Sequence, residues 1–204
     1  MSSSSPPFVD RERRELADLL AEVGPDAPTL CEGWDTAHLA AHIVVRERRP
    51  DALIGLGAEA AGKGGQLAAW THRLEDRLRE STPYAEVVDQ LRTGAPVWSP
   101  MSWPPLASRF NTTEFAIHHE DVRRAQLGWT PRPLDRAVQD ELWSVLALAG
   151  RRSAGRRGLV LRRSDVPGQE KRFGDAGRTV EGEPMELLLW SAGRRAVARV
   201  TVTP

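Results

Sequence analysis

Apolar residues recur at helical spacing through the first three-quarters of the 204-residue chain and change texture after Gly150. Leu16, Leu20 and Val23 predict a helix over 10–23, ended by Gly24-Pro25. Leu39, Ile43 and Val44 predict a second one after Trp34, with Asp35 or Thr36 as N-cap, running to Arg49 ahead of Pro50. A glycine-rich stretch over 62–65 separates it from a third helix carrying Leu67, Trp70, Leu74 and Leu78. Ser81-Thr82-Pro83 reads as an N-cap with proline at the first helical position of a short helix through Arg92. The prolines between Gly94 and Phe110 predict an irregular loop. Two more helices follow, over 111–127 and 135–149, stopped by Gly128 and Gly150.

Beyond Gly150 the segments 158–163 (GLVLRR) and 195–202 (RAVARVTV) read as strands. Between them Glu183-Pro184-Met185-Glu186 opens a short helix with Leu187, Leu188 and Trp190, closed by Gly193. The pattern predicts a mainly α protein: a disordered tail over 1–7, a helical bundle over 8–150 and a small α/β domain over 151–204. The arginine-rich 151–157 (RRSAGRR) serves as the linker.

Charge narrows the function classes. Lys+Arg and Asp+Glu both number 28, so the net charge is zero. That removes the electrostatic term on which nucleic-acid binding rests and argues against an anionic membrane surface as partner. No apolar run approaches a spanning helix, the first residues lack a signal-peptide core, and a lone Cys31 fits a reducing cytoplasm. The zero is a cancellation, however. Residues 1–150 hold 16 basic and 22 acidic side chains, whereas residues 151–204 hold 12 and 6.

The candidate chemistry lies on two helices. His42 sits within the apolar run LAAHI and points into the bundle. Glu114 and His118, four apart, share one helix face that Asp121 continues, beside Phe115 and Val122. Buried carboxylate and imidazoles need partners, and a divalent cation satisfies them together. Two imidazoles and one carboxylate suit catalytic zinc, and equally nickel, iron or manganese. Structural alternatives stand beside this. His42 reads also as a hydrogen-bonded core histidine, and Asn111-Thr112-Thr113-Glu114 as a capping box with Glu114 at N3. His119 points away from His118 and reads as a supporting or surface residue, His38 as a residue of the first turn, and His72 as solvated. Cys31 reads as a small buried hydrophobe.

The blocks TLCEGW at 29–34, LAAH at 39–42 and VRERRPDA at 45–52 resemble the N-terminal part of the DinB-like superfamily, nearest to its mycothiol-dependent maleylpyruvate isomerase branch. NTTEF at 111–115 and HHEDVRRAQ at 118–126 resemble that branch's metal-binding helix, in the form of an actinobacterial subgroup. VEGEP at 180–184, LLLW at 187–190 and Gly193-Arg194 are similar to its small C-terminal domain, here shortened. The resemblance implies a DinB-like four-helix bundle with His42, Glu114 and His118 as metal ligands. One departure is His38, where relatives commonly carry an acid.

The resemblance also implies thiol chemistry with mycothiol as cosubstrate and zinc as the first choice of metal. A zinc-bound thiol is deprotonated near neutral pH. Its addition to an electrophilic carbon makes a double bond temporarily single. Rotation and elimination then give an isomerase, and release of the adduct a transferase. The expected substrate is a small electrophile or anion, with Arg46, one turn after His42, and Arg194 as candidate anion contacts. The expected assembly is a monomer or homodimer. The alternative is a non-catalytic metal or small-ligand binding module that keeps the metal site.

Overall fold

The computed structural model describes residues 7–52, 65–103, 106–175 and 177–204. Helices α1 (Phe8–Val23), α2 (Thr36–Arg48), α3 (Gly65–Ser81), α4 (Tyr84–Thr93), α5 (Leu106–Arg123) and α6 (Arg136–Ala154) come first. Strands β1 (Leu159–Arg163), β2 (Glu170–Phe173) and β3 (Thr179–Gly182), helix α7 (Pro184–Ser191) and strand β4 (Thr201–Thr203) follow. The protein is mainly α with a small C-terminal α/β part. It divides into two compact units, one of Met1–Asn111 with His118–Trp129, the other of Thr112–Ile117 with Thr130–Pro204.

In the first unit α1 buries Leu16 and Leu20, α2 buries Leu39, Ala40 and Ile43, and α4 buries Val87, Val88 and Leu91. Polar side chains knit the helices as well. Arg13 of α1 makes a two-pronged ion pair with Glu47 of α2, at 2.6 and 2.5 Å, and also donates to the Leu91 carbonyl of α4. Against α2, α3 packs Leu74 on Val45 and Ala52, with Leu78 at the edge. Trp70, expected on that apolar stripe, is exposed instead. The glycines over 62–64 and the Leu67 side chain lie outside the described residues.

Several boundaries differ from the periodicity reading. α5 begins at Leu106 rather than at 111, and the two residues before it lie outside the described residues. It ends at Arg123, where the Gln126 side chain bonds the Val122 carbonyl and the chain turns. Pro83 is the N-cap of α4 rather than its first helical residue. The loop over 94–103 contains a short 3-10 turn, Pro100–Ser102, capped by Ser99.

In the second unit the sheet order is β2-β1-β3-β4. β1 pairs antiparallel with β2 and parallel with β3, and β3 pairs antiparallel with β4. Helix α7 is buried on nearly every side, which fits its run of apolar residues without helical periodicity. α6 does not stop at Gly150 but continues to Ala154, with Gly155 as C-cap. Gly150 is there for space: a Cβ on it would stand 2.5 Å from the Phe173 ring of β2. The expected strand over 195–202 is reduced to its last residues. Val197 and Ala198 donate their N–H groups to the Arg194 carbonyl, so the chain turns before β4 begins. β2, with the sequence EKRF, is largely solvent-facing and carries no apolar alternation to betray it.

Candidate metal centre

Asp35 caps α2 by accepting the His38 N–H at 2.8 Å, which sets the start of the helix and the phase of its side chains. His38 turns its ring back onto the same carboxylate, Nδ1 to Oδ1 at 2.7 Å. Burial alone would raise the Asp35 pKa, but these contacts from His38 hold it below the usual carboxylate value. His38 belongs to no donor triad among the described residues.

One turn on, His42 lies between Trp34 and His118, with ring centroids 5.0 Å and 5.5 Å away. Glu114 and His118 stand one turn apart on α5. The donor atoms of His42, Glu114 and His118 all lie within 4.8 Å of one another. Two donors about 2.0–2.2 Å from one ion can stand as much as about 4.4 Å apart, so small side-chain adjustments would let this set share one cation. Two imidazoles and a carboxylate also form a chemically apt donor set for a divalent transition metal.

Each imidazole is held from behind. His42 Nδ1 lies 2.9 Å from Glu75 Oε1, and His118 Nδ1 lies 2.9 Å from Asp121 Oδ2. A carboxylate only accepts, so both Nδ1 atoms carry the proton, which in a neutral ring puts the lone pair on Nε2. Glu75 and Asp121 are themselves buried. Burial would push the Glu75 carboxyl up, but the hydrogen bonds from His42 and His72 hold it below its usual range. Glu75 is the residue that spacing arguments miss. The signal for it was a carboxylate beside Leu74 on the buried stripe of α3.

Asn111 is not an N-cap. It sits inside α5, accepts from Arg46 Nη1 at 3.0 Å and donates to the Met101 carbonyl at 3.0 Å. The capping-box alternative for Glu114 therefore falls, because the helix has already begun. Arg46 is buried. Arg194 donates to the Ala192 carbonyl at the end of α7. His119 is buried, with Nδ1 3.0 Å from Glu12 of α1, and forms with Glu12 and Glu15 a separate donor triad. His72 is half-exposed and pairs with Glu75. Cys31 is half-buried and donates to Asp121 Oδ2 at 3.2 Å, while its backbone neighbour Leu30 donates to the Asp121 carbonyl.

A helical bundle carrying an imidazole–carboxylate cluster on its facing helices, joined to a small α/β part, defines the class. Comparison with known proteins gives the family: the chain belongs to the mycothiol maleylpyruvate isomerase N-terminal domain family, whose profile matches residues 9–123. Among solved structures it is similar to a mycothiol-dependent maleylpyruvate isomerase, with 18% identity and a TM-score of 0.55 over 96% of this chain and 90% of the other. A histidine-to-alanine mutant of that isomerase gives 0.56 over the same shares, also at 18% identity. At that identity the likeness establishes the fold. No curated protein sequence matches the chain.

Proposed function

We propose that this protein is a divalent-metal-dependent enzyme that uses mycothiol to isomerise or conjugate a small electrophilic substrate, with His42, Glu114 and His118 holding the metal. The observation that carries this reading is the gathering of those three donor groups within 4.8 Å of one another, with both imidazoles fixed through Nδ1. When bound, the ion supplies a Lewis-acidic centre that favours the thiolate form of a thiol cosubstrate, and zinc suits the donor set.

The chain's own residues supply the rest. Cys31 is the protein's sole thiol and is committed to Asp121, so the nucleophilic sulfur comes from the cosubstrate. Glu75 and Asp121 keep the two rings in orientation. Arg46, buried one turn beyond His42, brings a fixed positive charge for an anionic group of substrate or cosubstrate. Balanced total charge and the lack of a described helix long and apolar enough to cross a membrane are consistent with a cytoplasmic enzyme of small molecules.

Metal analysis of the purified protein, then thiol titration of the loaded form and incubation with mycothiol plus maleylpyruvate or monochlorobimane, tests the proposal. About one divalent ion per chain is expected, lost in His42→Ala and His118→Ala, with isomer or conjugate formed only by the loaded wild type. Protein that binds no metal refutes the reading. Metal binding without turnover across a broad panel of electrophiles refutes the catalytic half and leaves a binding module.

A further inference from the structure

Glu75 lies in none of the donor triads among the described residues, yet it is buried on α3 with an imidazole at each of its oxygens. Oε1 faces His42 Nδ1 at 2.9 Å and Oε2 faces His72 Nδ1 at 3.0 Å. Because the carboxylate is an acceptor only, each contact requires the proton on Nδ1. In a neutral His42 ring that choice leaves Nε2 unprotonated and aims it away from Glu75.

We propose that Glu75 is a positioning residue of the centre: it fixes the tautomer and orientation of His42 from a different helix, and thereby sets metal affinity. This rests on the reading of His42 as a ligand. The arrangement differs from that at His118, where the supporting Asp121 lies three residues along the same helix and its distance is built into the helix itself. The distance from Glu75 to His42 depends on how α2 and α3 pack. Leu74, next to Glu75, is buried against Val45 and Ala52, and Thr71 donates to the Ala52 carbonyl at 3.2 Å. His72 occupies the second carboxylate oxygen and so keeps the group from turning away from His42.

The test uses the full chain with zinc alone as probe, in competition with a chelator of known affinity. Removing an outer partner of a ligating histidine costs about 10–100-fold in metal affinity, and that loss is expected for Glu75→Ala with helicity retained. Glu75→Gln keeps one oxygen for His42 and gives a smaller loss. In a His42→Ala background, Glu75→Ala is expected to cost nothing further, which a merely structural role would not predict. Nitrogen-15 spectra of the metal-free protein read the tautomer directly: Nδ1–H on His42 in the wild type, and a shift toward Nε2–H in Glu75→Ala.

Zinc affinity within about threefold of wild type in both Glu75 variants overturns the proposal. So does an unchanged His42 tautomer. Should Glu75→Ala not fold, Glu75→Gln and the wild-type tautomer decide. A wild type that binds no zinc fails the metal reading, while the tautomer measurement still decides the role of Glu75.

Discussion

Replacing Asn111 by alanine removes two buried hydrogen bonds at once. Its carbonyl oxygen accepts from the Arg46 guanidinium and its amide donates to the Met101 carbonyl, and these partners fix which way the amide faces. A bond to a charged group contributes about 1.5–3 kcal/mol and a neutral one about 0.5–1.5 kcal/mol. Alanine returns up to about 0.7 kcal/mol of helix propensity at an interior position. The expected net loss is therefore about 1.5–4 kcal/mol, read from urea unfolding of the metal-free protein followed by far-ultraviolet circular dichroism. Serine and aspartate sharpen the test. At an N-cap both match asparagine, so each would leave stability within about 0.5 kcal/mol of wild type. Inside α5 neither reproduces the bridge: aspartate keeps an acceptor for Arg46 but sets a second acceptor against the Met101 carbonyl, and serine is too short to span both. Near-neutral serine and aspartate variants would refute the interior placement of Asn111 and restore Glu114 as a candidate capping residue.

Three further outcomes follow from packing and charge. Glu47→Ala breaks a buried two-pronged ion pair with Arg13 and should cost about 3–5 kcal/mol in the same unfolding assay, whereas an exposed pair such as Arg49–Asp51 should cost under about 1 kcal/mol when broken. Gly158 has φ +74°, and a Cβ there would fall 1.3 Å from the Asp175 carbonyl oxygen. Gly158→Ala should therefore destabilise the second unit by well over the about 1–2 kcal/mol of left-handed backbone alone, while Gly168→Ala, with φ +80° and open space, should cost only that amount in calorimetric melting. Asp165 is held below its usual pKa, first by its hydrogen bond from Arg163, so its stabilisation is complete above the unfolded carboxylate value near pH 4 and is lost as pH falls through the lowered one. Asp165→Asn should flatten the acid limb of the stability–pH curve, and an unchanged slope below about pH 4 would refute that contribution.

What could be read from the sequence was whatever repeats along one element. Glu114 and His118 show themselves because four residues on a helix is one turn, and α1, α2 and α7 because their apolar residues or caps are local. What could not be read depends on contacts between elements. Glu75 meets His42 across 33 residues of sequence, and Asn111 meets Arg46 across 65, through packing that no periodicity encodes. Gly150 was misread for the same reason. A glycine at the end of an apolar run has the same appearance whether it stops a helix or makes room for Phe173 of β2. β2 was missed because its half-buried face carries Lys171 as well as Phe173, so four residues show no apolar alternation.

The interior of the bundle explains why the polar residues of α2 do not mark a solvent face. α2 buries Thr36, Arg46 and Glu47 together with Leu39, Ile43 and Val44, so its residues are hidden on most sides and its polar positions do not mark a solvent face. Binary patterning assigns such residues to the surface, because it assumes that charge means water. Here the polar side chains are answered inside: Arg13 by Glu47, His42 by Glu75, His119 by Glu12 and Arg124 by Glu120. Each of those pairs costs desolvation that an apolar core would avoid, so a purely structural account of the bundle gives no reason for so many of them. Paired acids and bases do have a reason to be there if two of the imidazoles must present a lone pair inward at a fixed angle. On that argument the weak amphipathicity of α2, combined with its ionisable residues, was itself the sign of a site.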